Sequence, residues 1–424
     1  MTRPTLLRGV PARRSRTGAL RSRAAAPALT IAVALVLALG ACSGGDDGGG
    51  SGSGSGTDAG TPVGEAAGAG SPLDLAEVCP ETVVMQQDWQ PQAEHGGMYE
   101  LVGSDYEVDT DTKAVRGTLV AQGVDTGVQI EIRTGGASVG FQRVSDLMYL
   151  DTDILIGAVN TDQAIGANAA GRPVVALASQ ITLSPQIYMW DPATYPDAMT
   201  IADVAATGAT IVTGGELIPS LLASQGVVSM DQIDTSYEGT PQRFVTDPSI
   251  MQQGFGTNEP YVYENEIPQW DEPVAFQYLH ELGYSIYPEP ITVREADVTE
   301  QADCLARLVP ILQRSQLDFL ADPERTNALI VDLVERYQTS WTYTDGVGAF
   351  SVAAQLDDGL VSDDPASGVF GQIDGARVAE TVATFVPVLQ ETGSLAADAA
   401  VDPEDLYTNE FIDPSITMAD VLGR

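Results

Sequence analysis

Short apolar runs alternate along this chain with stretches whose apolar residues recur every three to four positions. Residues 82–85 (Thr-Val-Val-Met) read as a first strand and 128–132 as a second, followed by 153–157 and 173–178. Between them, 139–150 and 161–170 have helical spacing. The rhythm resumes with a helix at 200–205, a strand at 209–213 and a helix at 217–224, then weaker strands at 233–237 and 243–246. Strands separated by helices predict an α/β protein with mostly parallel sheets flanked by helices. After about Asp297 the pattern changes. Residues 299–319, 323–339 and 377–392 are long, amphipathic and free of strand signals, which predicts a helical C-terminal part packed back on the first lobe.

The N-terminus follows another logic. Seven Arg lie between Arg3 and Arg23 with no acid among them, and an apolar run covers 28–39. That run is shorter than the roughly 20 residues a membrane-spanning helix needs. It ends in Leu39-Gly40-Ala41-Cys42, which resembles a bacterial lipobox. On this reading residues 1–41 are a lipoprotein signal peptide, and Cys42 becomes the acylated first residue, an anchor (palmitate among its chains) on the extracytoplasmic face of the cell membrane. The plainer alternative is an ordinary secretory signal or an uncleaved anchor with an idle Cys42. Residues 42–72, rich in Gly, Ser, Ala and Asp, are expected to be a flexible linker.

The formal net charge is −39, and Lys113 is the only lysine. So acidic a surface repels nucleic acid and anionic lipid, and an acidic lumen would favour amine-bearing ligands. About 350 residues follow the linker, more than one core usually holds, so two lobes are expected. In an exported setting Cys79 and Cys304 are more simply a disulfide than a metal site, with two free thiols as the alternative.

In open α/β sheets ligands sit beyond the carboxyl ends of strands. That points to residues 86–99, 134–138, 160–161, 179–185, 214–219 and 258–261. The first holds Asp88-Trp-Gln-Pro-Gln-Ala-Glu-His-Gly-Gly-Met-Tyr99. This resembles the opening motif of substrate-binding proteins of the sulfonate and thiamine-pyrimidine group. Three later stretches are similar to the family's in order and spacing: Gly171 to Ala178, Gln180 with Ser184-Pro185, and Thr257-Asn-Glu-Pro-Tyr261. One departure stands out. Residues 103–119 intervene before the second strand like a hairpin with a polar tip, and the family's Gly-Tyr-Tyr becomes Gly123-Val124-Asp125.

The resemblance implies a type II periplasmic-binding-protein fold, with lobe 1 at 73–187 and 288–424 and lobe 2 at 188–287. The lobes would close on a small molecule about crossings near 186–190 and 278–288. The chain would be a monomer that hands its solute to a membrane permease driven by an ATPase. A thiamine pyrimidine precursor is the preferred ligand, riboflavin the second, and a small sulfonate or nitrate the third. No catalysis, cofactor or metal is expected. A nucleophile elbow and a P-loop are missing from the sequence, and His95 and His280 are its two histidines. The same superfamily includes a pyridoxal-dependent pyrimidine synthase, the enzymatic alternative.

The candidate ligand-binding residues follow. Trp89 stacks on a flat heterocycle, or packs at the hinge. Asp88 and Glu259 accept from ring amino groups, unless Asp88 caps the helix after it. His95 and Tyr99 lie four apart on one helical face and reach toward the cleft. Thr161, Gln180 and Ser184 offer donors or acceptors after strands. Glu216, in the first turn of a helix, disfavours an anion there. Tyr261 lines the second lobe or packs within it.

Overall fold

The computed structural model describes residues 59–237 and 239–423. The expected signal peptide, the lipidation site Cys42 and the first part of the linker lie outside the described residues.

Two sheets organise the fold. The first orders its seven strands β2-β3-β4-β1-β5-β12-β6. In chain order these are β1 (Thr82–Gln86), β2 (Glu107–Asp109), β3 (Ala114–Ala121), β4 (Val124–Arg133), β5 (Ile154–Ala158), β6 (Val174–Ala178) and β12 (Ile291–Arg294). The second orders five strands β11-β7-β10-β8-β9. They are β7 (Gln186–Trp190), β8 (Ile211–Val212), β9 (Ile233–Asp234), β10 (Met251–Phe255) and β11 (Ala275–Tyr278). The chain therefore passes from the first sheet to the second through residues 179–185 and returns through 279–290.

The class is α/β with two sheets flanked by helices, but the sheets are mixed rather than mostly parallel. β1 pairs parallel with β4 and β5, and β8 with β10 and β9; the other neighbours are antiparallel. The reason lies in the connections. Residues 103–119 form a hairpin that adds β2 and β3 at one edge. β12, returning from the second sheet, enters between β5 and β6 against their direction.

Local chemistry explains most elements. β1 and β5 are almost wholly buried β-branched and apolar runs. The helix Ile201–Ala205 starts at a capping box between Thr200 and Asp203. Three expectations change. Residues 243–246 are not a strand but part of the helix Gln242–Thr246. Pro241 at its N-cap sets a helical φ, and Phe244 packs on Tyr263 and Trp270. The helix expected over 139–150 begins only at Val144, because Gly140 and Phe141 take left-handed conformations. The span 299–319 is divided at Gln301 between the helices Glu295–Glu300 and Ala302–Ala321.

From Ala59 onward the segment expected to be a flexible linker lies against the body. Thr61 donates to Glu100 and Val102, and Glu65 and Ala67 bond the backbone of Asp125. Cys79 and Cys304 are disulfide-bonded, which ties the approach to β1 to the helix Ala302–Ala321. Among the described residues no helix is long and apolar enough to cross a membrane.

One side chain holds both crossings. Arg377, on the helix Gly375–Glu391, donates to the carbonyls of Thr182 in the outgoing segment and of Ser285 and Ile286 in the returning one, at 2.7, 2.9 and 2.6 Å. Its guanidinium also lies 4.0 Å from the ring centroid of Tyr287. Charge-assisted bonds each contribute about 1.5–3 kcal/mol, so Arg377→Ala is expected to cost about 3 kcal/mol in urea denaturation. Arg377→Lys should recover less than half, because one ammonium cannot serve both segments in the planar fork of a guanidinium.

Candidate functional site

A cavity of about 470 Å³ opens between the two sheets. Its first wall is the turn after β1. There Gly135 lies so close to the Asp88 backbone that a Cβ would come within 2.3 Å of it. Gly136 has a φ of 58°, and a Cβ on it would meet the Trp89 ring at 2.8 Å. Glycine at both positions lets the indole lie flat against the backbone.

Trp341 and Phe141 complete an aromatic corner. The Trp89 and Trp341 rings are 6.2 Å apart and perpendicular, at 89°; Phe141 is 6.1 Å from Trp89. Trp341 belongs to the loop after the helix Glu324–Tyr337, and its indole N–H donates to the Pro91 carbonyl. Phe141, at φ 58°, is two-thirds exposed at the rim. From β10 of the second sheet Gln253 and Phe255, and from the segments beside it Tyr237, Asn258 and Glu259, face the same space.

Three carboxyl groups, Asp88, Glu259 and Glu289, share the polar lining with seven amide side chains. Glu259 is held by the Phe255 backbone N–H at 2.7 Å and by the Tyr237 hydroxyl at 3.4 Å. Burial, aided by repulsion from Glu94, pushes its carboxyl up to about 7 against the hydrogen bonds it accepts. Asp88 and Glu289 share the ring of His95, whose Nε2 is 3.2 Å from the first and 2.8 Å from the second. Burial opposes a charge on His95, but the carboxylates of Glu289 and Asp88 outweigh it and push the imidazole up to about 10. Burial and the neighbouring Asp88 push Glu289 itself up to about 7. These three side chains are also spaced so that one oxygen or nitrogen of each could approach a common metal ion.

Glu289 lies between Pro288 and Pro290 in the returning segment at φ 50°, a left-handed backbone rare for a residue with a side chain. The Asn160 side chain fixes it there by accepting its backbone N–H at 2.9 Å. Glu94, just behind, is buried and takes the Thr257 hydroxyl from the opposite lobe.

Asp88, Trp89 and Glu259 thus line one cavity, with His95 behind them. The other predicted residues stand elsewhere. Tyr99 is fully buried in the core of the first lobe, since its helix turns that face inward. Thr161 exchanges hydrogen bonds with the Tyr287 backbone. Gln180 donates to the Leu312 carbonyl. Ser184 accepts from the Gln186 backbone, and its carbonyl meets His280. Glu216 is exposed to solvent. Tyr261 packs on Phe350, 5.6 Å between ring centroids. The hairpin 103–119 contributes nothing to the cavity lining.

Trp341, Phe141, Tyr237, Asn160 and Glu289 escaped sequence reasoning. Of these, Asn160 alone lies in a segment that follows a predicted strand, 153–157; for Glu289 the signal is the Pro-Glu-Pro spacing of a fixed backbone.

Glu259 ionises less readily in the fold than in an unfolded chain, where its value is 4.5. It therefore erodes stability as pH rises from about 4.5 to about 7. Glu259→Gln removes that term. The difference in melting temperature, variant minus wild type, should grow more positive across this window in a pH series of thermal melts.

No protein-family model matches the sequence, and no curated protein matches it. Among solved structures, similarity extends to the periplasmic aliphatic sulphonate binding protein SsuA from Escherichia coli, at 12% identity and TM-score 0.47, covering 77% of this chain and 92% of that one. A ligand-binding component of an ABC-type import system from Staphylococcus aureus, with zinc bound, is similar at 11% identity and TM-score 0.48 over 79% of this chain and all of that one. The periplasmic nitrate-binding protein NrtA from Synechocystis is similar at 11% identity and TM-score 0.45, over 78% and 87%.

Proposed function

We propose that this protein is the solute-binding component of an ABC importer. It captures a small, flat, amine-bearing heterocycle between its lobes and delivers it to a permease whose ATPase drives uptake. A thiamine pyrimidine precursor is the leading ligand. The reading includes a lipid anchor at Cys42, an extracytoplasmic location and a monomeric state. The carrying observation is the cavity between the two sheets, which joins the Trp89 face to the carboxyl groups of Asp88, Glu259 and Glu289. An indole face favours a planar ring, and buried carboxylates favour its amino groups.

The same lining weighs against the anions named for similar structures. A sulfonate or nitrate would meet three carboxyl groups, and the one basic side chain of the lining, Arg143, is exposed at the rim. The enzymatic alternative lacks a lysine for a pyridoxal group, since Lys113 bonds the Thr110 carbonyl in the exposed hairpin.

Calorimetric titration of the purified protein against aminopyrimidines, thiamine, riboflavin, taurine and nitrate tests the reading. An aminopyrimidine should bind with the highest affinity, and Trp89→Ala and Glu259→Ala should each weaken it at least about tenfold. No heat with any aminopyrimidine, or no loss in either variant, would overturn it.

A further inference from the structure

Charge in the cleft is distributed unevenly with depth. Three carboxyl groups line the interior, Asp88, Glu259 and Glu289, and Glu94 is buried directly behind them. The opposing charges are His95, already shared by Asp88 and Glu289, and Arg143, exposed at the rim. Among the described residues Glu259 faces no cation: it accepts from the Phe255 backbone N–H and the Tyr237 hydroxyl, with the Asn258 side chain also bonding it. A buried carboxylate in that position is costly, and the cost is removed when a positive group enters beside it.

Aromatic rings share that lining with the amide side chains of Gln186, Gln253 and Asn258. Trp89 and Trp341 meet at right angles, Phe141 extends the corner, and Tyr237 closes the side toward Glu259. Gly239, two residues beyond Tyr237, brings the second lobe within van der Waals reach of the Trp89 ring; a Cβ there would stand 3.6 Å from it. Indole faces carry negative potential and attract cations. Ring faces on several sides with a carboxyl at the base hold positive charge better than neutral polarity. A neutral amine would satisfy the hydrogen bonds yet leave the ring faces and the charge of Glu259 uncompensated.

We propose that the solute is bound as an organic cation, its positive charge held between the rings of Trp89, Trp341 and Tyr237 and the carboxyl group of Glu259. The inference rests on the solute-binding reading above and narrows its ligand class to cationic heteroaromatics and alkylated ammonium compounds.

Paired ligands of one shape and different charge provide the test. The first pair is an aminopyrimidine and its N-methylated pyrimidinium, titrated above neutrality, where the parent base is uncharged. The second is choline and its uncharged carbon isostere dimethylbutanol. The cation of at least one pair should bind about tenfold more tightly than its neutral partner, and Glu259→Gln should narrow that ratio, with thermal melts confirming that the variant is folded. A preference confined to the choline pair would support the cation site while removing the heterocycle from the proposed function. Equal or stronger binding of the neutral partner in both pairs would overturn this inference and leave the solute-binding reading standing. Binding of none of the four would overturn this inference, and the remaining solutes of the titration panel would then decide the broader reading.

Discussion

The rest of the molecule depends on how Arg377 binds the two crossing segments into one unit. Its guanidinium ties Thr182 in the outgoing segment to Ser285 and Ile286 in the returning one and lies over Tyr287. Tyr287 passes the constraint on. Its hydroxyl accepts the Asp374 backbone N–H, and its own backbone exchanges bonds with Thr161. Two residues later Glu289 is fixed by Asn160 and reaches His95, which holds Asp88 beside Trp89. A continuous set of polar contacts thus runs from the C-terminal helix through the hinge to the floor of the cavity. Thr161, a ligand candidate in the sequence, belongs to this support rather than to the cavity.

Away from the hinge, the lobes meet through the C-terminal helices. Tyr278 donates to Asp358 at 2.6 Å, Thr344 bonds Glu266, and Tyr261 packs against Phe350. These contacts, with the bond from Thr257 to Glu94, bring the lobes together around the cavity. The helical C-terminal part therefore packs on the first lobe and also spans to the second. A relative movement of the lobes has to break or slide these bonds while Arg377 keeps the crossings joined.

The cavity concentrates acid where solvent is scarce. His95 compensates two of the carboxyl groups, which is why its imidazole holds a proton despite burial. Glu259 has no such partner, and burial raises its proton affinity instead.

Read alone, the sequence determined the α/β class, the places of β1, β5 and β6, and the helices Thr161–Ala169 and Leu217–Ser224, because hydrophobic period and capping act over a few neighbouring residues. It also pointed to Asp88, Trp89 and Glu259 through segments that follow strands. The antiparallel entry of β12 and the strands β10 and β11 had no comparable local signal, since their pairing joins residues far apart in the chain. Residues 243–246 have strand-like composition, but Pro241 at the N-cap starts the helix Gln242–Thr246 there instead. Gln180, Ser184 and Tyr99 have the chemistry of ligand residues, but burial turned their polar atoms inward, to backbone partners for the first two. Only the tertiary structure decided that Trp341, Tyr237 and Glu289 join Trp89 around one cavity. They come from a loop between helices, the second sheet and the returning hinge, and proximity across such distances is set by packing rather than by any pattern of neighbours.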